Sequence, residues 1–210
     1  MQAMCFRSFM LIAGSVLGLA LSPACKTGQR PAGASDPVRN SQDPAAAALV
    51  GSWAQGCISA QAQSVTSRMT FNPDGSWSSA VKMFSDTKCG NPVYEIKSEG
   101  TFVIGKATGG GSMVVTPIDR FTNTVAETFF LDAQVAANNQ AGYRGHRSWQ
   151  RGVPFSHPPD VSAQYDIFRV DGDSLVLGKV SQVAGSPNDG LTPQTRPTEI
   201  SSEMMPLKRQ

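Results

Sequence analysis

The feature that most limits what this chain can fold into is a period of two, centred on residues 64–83. In Ser64–Phe71, Val65, Met69 and Phe71 fall on one side with Ser67 between them, and Ser64, Thr66, Arg68 and Thr70 fall on the other. After Asn72-Pro73-Asp74-Gly75, the next run puts Trp77, Val81 and Met83 on a single side. Side chains alternate across a strand but recur every 3.6 residues on a helix, so this is a strand pattern. Pro73 suits a turn position of fixed φ and Gly75 one of positive φ, and the two runs are predicted to form a β-hairpin.

Similar short runs continue along the chain: Gly51–Cys57, Val93–Lys97, Thr101–Ile104, Ser112–Ile118, Thr124–Leu131, Gln164–Val170 and Ser174–Val180. Breaks are predicted at 106–111, Asp119-Arg120 and Asp171-Gly172. The expected fold is all-β, an antiparallel meander of about eight or nine strands that closes into a barrel or folds as a sandwich; closure removes the exposed edges a flat sheet would leave. Residues 49–210 are long enough for one domain with a sizeable core, and no repeat at solenoid or propeller spacing is visible. Cys57 ends the first strand and Cys89 follows the third, so a disulfide between them is expected, whereas two cysteines do not complete a tetrahedral metal site. Residues 132–163 read as an inserted long loop, 138–160 being structureless, and Gly185–Gln210 as turn-rich, with an edge strand at Thr198–Ser201 and a ragged tail from Met204.

The amino terminus carries a different signal. One basic residue, Arg7, precedes the apolar run LIAGSVLGLALS, the layout of a secretory leader over residues 1–24. The run ends in Leu21-Ser22-Pro23-Ala24-Cys25, which resembles the lipobox of bacterial lipoproteins, although Ser22 stands where that box usually has leucine. The resemblance implies that Cys25 is acylated and becomes the new amino terminus, with the lipid bilayer as partner. Each buried methylene contributes about 0.8 kcal/mol, so two or three chains anchor a protein firmly. Lys26 follows the cysteine, not the aspartate of lipoproteins kept in the inner membrane, which implies a place in the outer membrane of the cell envelope. Residues 26–48 hold no aromatic and no large aliphatic except Val38, the composition of a flexible tether; Ala45 to Ala48 have room for a short helix between Pro44 and Gly51 or for the end of the linker. Of 18 basic residues Arg7 alone lies in the leader, so 17 face 16 acidic ones, a balance that argues against nonspecific nucleic-acid binding.

Over residues 51–102 the succession Gly51-Ser52-Trp53, Cys57, Thr70-Phe71, Asp74-Gly75, Phe84-Ser85-Asp86, Cys89 and Gly100-Thr101-Phe102 resembles small secreted bacterial proteins with a lipocalin-like or calycin-like barrel. The resemblance favours the barrel over the sandwich and implies that Trp53 packs across a closed end. A lipocalin's late arginine has no evident counterpart by sequence, and fold resemblance does not name a ligand.

Candidate binding residues lie in two places. Arg144, Arg147 and Arg151 flank Trp149 and would form an anion-receptive patch; the bland alternative is a solvated connection pinned by its aromatics. Tyr165 and Arg169 share one side of a strand, lining a cavity if that side faces inward; outward, Arg169 is an ordinary surface charge near Asp171. Gly109-Gly110-Gly111 lacks a following Lys-Ser or Lys-Thr pair and reads as a turn, not a phosphate cradle. His146 and His157 are the only neutral-range bases, and no hydrolase or metal motif accompanies them. The expectation is a binding lipoprotein for a small amphiphilic or anionic ligand, without catalytic site or cofactor. An assembly lipoprotein contacting an envelope protein is the alternative, and a hydrolase using a loop histidine the third.

Overall fold

In a computed structural model the described residues are 44–109, 114–181, 183, 185–202 and 205–210; Cys25, the tether up to residue 43, and Gly110-Gly111 lie outside them. The chain forms α1 (Pro44–Leu49), β1 (Gly51–Ala60), β2 (Gln63–Phe71), β3 (Ser76–Phe84), β4 (Pro92–Ile104), β5 (Thr116–Phe129), α2 (Asp132–Ala141), β6 (Phe155–His157), β7 (Ala163–Asp171), β8 (Ser174–Leu177) and β9 (Leu207–Arg209). Each strand pairs antiparallel with its neighbour, in the order β4-β3-β2-β1-β9-β8-β7-β5, and β5 returns to β4. The result is a closed eight-strand barrel, with β6 as an extra strand on the upper part of β5. The sandwich alternative therefore does not apply.

The predicted hairpin forms, with Phe71 opposite Trp77 and Val65 opposite Met83, and Gly75 takes φ 81° in its turn. Cys57 and Cys89 form a disulfide with their Cα atoms 5.9 Å apart. Several boundaries differ from the sequence reading. The two short strands expected at 93–97 and 101–104 are one continuous β4, and β5 runs straight through Asp119-Arg120, expected as a break. These two charges are tolerated because each has a partner: Asp119 accepts from Arg196 at 2.6 Å and Arg120 pairs with Asp166 at 3.1 Å. Gly100 lets the two long strands meet at a bulge, since a Cβ there would fall 1.8 Å from the Phe121 carbonyl oxygen.

Both ends of the described domain carry regular structure. Of the two readings open for Ala45 to Ala48, the short helix is found: α1 buries Ala46 and Leu49 against the barrel. The expected ragged tail contains β9, where Leu207 is buried and Leu207–Arg209 closes the barrel between β1 and β8. Thr198–Ser201 contributes a single bridge, Ile200 to Gly178. One end of the barrel is thus sealed by Leu49, Trp53, Phe71, Trp77, Phe102, Ile118, Phe168, Leu175 and Leu207.

Candidate functional site

The strand register sorts the wall into an inner and an outer face. Residues paired directly across antiparallel strands point the same way. From Trp53 the pairing therefore assigns Gln55, Ser67, Met69, Trp77, Ser79, Val81, Ile96, Ser98, Phe102, Arg120, Val125, Glu127, Gln164, Asp166 and Phe168 to the interior. Toward the sealed end these side chains are buried. On the β1–β4 wall above Met69 and Trp77 they are not: Gln55, Ser67, Ser79, Val81 and Ser98 are half-buried although they face inward, as is Gln164 opposite. The interior is packed solid at the Trp53 end and only partly buried toward the other, a cup-like arrangement.

Arg120 lies at the floor of this cup. Its guanidinium is buried, sits 5.5 Å from the centre of the Trp77 ring and bonds Asp166. Asp166 also accepts backbone N–H groups of Ile167 at 2.8 Å and Gly178 at 3.1 Å. Burial nevertheless pushes its carboxyl above the ordinary carboxylate range, against the pull of Arg120 and these N–H groups. The indole Nε1 of Trp77 is buried with no hydrogen-bond partner among the described residues.

The open end is covered on the β4–β5–β6 side by the segment expected to be a structureless loop. It contains α2, a 3-10 turn at Tyr143–Gly145 and β6. Helix α2 escaped the sequence reading because it has no apolar stripe: of DAQVAANNQA only Asn138 is buried. Ring contacts pin the segment to the inner face. Phe129 meets Tyr143 at 5.9 Å and Trp149 at 5.1 Å, and Trp149 meets Phe155 at 4.8 Å.

At the centre is Glu127, fully buried and invisible to motif reasoning because its partners come from three separate segments. The Tyr94 hydroxyl donates to Oε1 at 2.5 Å and the Tyr143 hydroxyl to the same atom at 3.3 Å. Arg144 Nε donates to Oε2 at 2.7 Å, and His157 Nε2 lies 3.2 Å from it. The other side of the Arg144 guanidinium holds both oxygens of Asp160 at 2.8 Å. Arg144 adopts a left-handed backbone, φ 53°, to aim its side chain this way. Burial and then the Glu127 charge push both phenols up, which keeps them protonated donors. Burial pulls the Arg144 guanidinium down, but its bonds to Glu127 and Asp160 outweigh that and hold it above its ordinary value. His157 Nδ1 faces the Pro158 carbonyl at 2.7 Å, an acceptor only, so Nδ1 is the donor in that bond.

The sequence-chosen residues are thus distributed differently from an anion patch. Arg144 is consumed by Glu127 and Asp160, Arg147 caps the Gln140 carbonyl at the surface, Arg151 pairs with Asp132, and Trp149 is buried. Tyr165 and Arg169 lie on the outer side of β7. Tyr165 is covered there, with Arg196 5.5 Å from its ring, while Arg169 bonds Asp171 at 2.7 Å and borders a shallow outer groove of about 260 Å³ with Ala45, Ala48 and Phe168. His146 stacks on Phe155, and among the described residues no His, Cys, Asp or Glu cluster is arranged to hold a metal. No protein-family model matches this chain, and no curated protein matches it. What the cup can do rests on its own geometry.

Proposed function

We propose that the protein is an outer-membrane lipoprotein of lipocalin-like type, anchored through acylated Cys25, whose barrel binds a small anionic or amphiphilic ligand. The observation that carries this reading is the one-ended cup with a cation at its floor. Its half-exposed lining of Gln55, Ser67, Ser79, Ser98 and Gln164 offers hydrogen bonds to a polar ligand. At the floor, Arg120 lies beside an indole N–H that has no partner among the described residues; leaving such a donor unsatisfied costs about 1–3 kcal/mol, so an acceptor-bearing group is favoured there. A second support is the clamp on Trp53. Its Nε1 donates to the Leu49 carbonyl at 2.7 Å, and Arg209 lies 4.2 Å from its ring while donating to the Ala48 and Val50 carbonyls. A late arginine resting on an early tryptophan supports the lipocalin-like reading.

The test is native mass spectrometry of the full lipoprotein, taken from the host envelope in detergent with its disulfide intact. A small-molecule adduct that persists in wild type and disappears in Ser98→Phe, which fills the cup without touching Arg120 or Asp166, is the expected outcome. A bare acylated mass would overturn the ligand and favour an assembly role. Cys25→Ser is expected to move the protein from the membrane to the soluble fraction; a variant that stays membrane-bound would overturn the anchor.

A further inference from the structure

The segment between β5 and β6 has the construction of a moving part. Its two ends meet: the Gly152 N–H donates to the Phe129 carbonyl at 2.8 Å, so the chain leaves and rejoins the wall at one place. Flanking this point are Leu131, which caps α2 without a side-chain bond, and Gly152, at φ 71°. Leu131 and Val153 are both exposed, 46 % and 48 %, so neither is held by packing.

Between these ends the segment is tied to itself. Asn139 Nδ2 donates to the Trp149 carbonyl at 3.0 Å while its Oδ1 accepts the Trp149 N–H at 2.7 Å. Trp149 Nε1 donates to the Tyr143 carbonyl at 3.3 Å, and Arg147 to that of Gln140 at 2.9 Å. These bonds join α2, the 3-10 turn and the irregular stretch around Trp149 into one body. Its hold on the barrel is of another kind: ring contacts to Phe129 and Phe155, and the polar bonds of Tyr143 and Arg144 to Glu127 and Asp160. Helix α2 adds little, since its one buried side chain, Asn138, has an Nδ2 with no partner among the described residues.

We propose that residues 131–152 are a lid that swings off the open end of the barrel as one unit, latched by Glu127 and hinged where Gly152 meets Phe129. The chemistry of the latch makes opening feasible. Charged and hydroxyl groups released into water regain most of their hydrogen bonding, whereas separated apolar surfaces regain nothing. An element held by a single ring cluster, Tyr143 and Trp149 on Phe129 and Phe155, and otherwise by bonds that water can replace opens at lower free energy than a sheet held by its ladders and the main core. Opening would bare Tyr94, Ile96, Glu127 and Phe129, which extend the inner face of the cup. That it admits ligand rests on the binding reading above, whereas the opening itself is measured without ligand, so either can fail alone.

The experiment is hydroxyl-radical footprinting of the full chain in low, sub-denaturing urea, read by mass spectrometry. The reporters are the rings of Phe129 and Trp149, which are buried against each other across the boundary between lid and wall in the closed form. They are expected to be oxidised together and faster than Trp53 and Phe71 at the sealed end, with a weaker urea dependence. In Glu127→Gln their oxidation should accelerate by roughly tenfold or more, with Trp53 and Phe71 unchanged. Tyr143→Phe, which removes one donor, should accelerate it less. Phe129 and Trp149 oxidised only together with Trp53 and Phe71, at the same urea dependence, would overturn the lid in wild type alone, whether or not either variant folds.

Discussion

At the scale of single residues, two carboxylates show how position reverses the effect of pH. Asp166 is buried, which raises its carboxyl above the ordinary 3.8; its native form holds the proton more tightly than the unfolded chain does. Its contribution to stability is therefore complete below about pH 4 and lost as pH rises through the raised native value. Asp86 is the opposite case. It accepts backbone N–H groups from Gly90, Lys88 and Asn91, which lower its carboxyl, so its contribution is present above its unfolded value and lost as pH falls through the lowered one. In urea titrations from about pH 3 to 7, Asp166→Asn, a neutral stand-in for the protonated carboxyl, is expected to fall furthest below wild type at the acid end and least at the upper end, where the buried wild-type carboxyl ionises at a cost. Its midpoint should also lack the wild-type decline above about pH 4, and a decline of equal slope in both proteins would refute the assignment. Trp53 is a packing residue in the same core. Trp53→Ala is expected to cost about 3–5 kcal/mol in equilibrium unfolding, since it removes a fully buried indole and the surface on which Arg209 rests.

Among the elements, the β2–β3 hairpin and the β3–β4 loop form the best-braced corner. Ser64 Oγ donates to the Asp86 carbonyl and accepts the Cys89 N–H at 3.1 Å, and Cys89, at φ 57°, reaches back to Cys57 on β1. The disulfide spans 32 residues, and removing it through the double variant Cys57→Ala/Cys89→Ala is expected to cost roughly 3–4 kcal/mol. The check is the shift in urea midpoint, and a change under about 1 kcal/mol would show that the hairpin's own bonds already restrict the unfolded chain. The hairpin was legible because its alternation and its Pro-Asp-Gly turn are local. Helix α2 was not, because DAQVAANNQA presents no stripe and its partners, Trp149 and the β5 wall, are remote or non-periodic. The charged pair Asp119-Arg120 looked like a break for the same reason: Arg196 and Asp166, which neutralise it, are 77 and 46 residues away.

Considered as a whole molecule, the barrel depends on its last residues. β9 is three residues long, yet it joins β8 to β1, buries Leu207 and supplies Arg209 to the Trp53 clamp. A chain ending at Pro206 would leave β1 and β8 with open edges, a template for pairing with other chains. It is expected to elute from size exclusion as aggregate, or to unfold at lower urea; a monomer of wild-type stability would show that closure by β9 is dispensable.

The amino-acid sequence by itself determined the all-β class, the hairpin and the cysteine pair, because alternation, turn chemistry and cysteine placement act over short distances. Only the tertiary structure decided where the interior charges go. Arg120, Asp166 and Glu127 look alike in sequence to surface residues, and each becomes an interior group through barrel closure, which turns one side of every strand away from water and brings its partner from a distant segment.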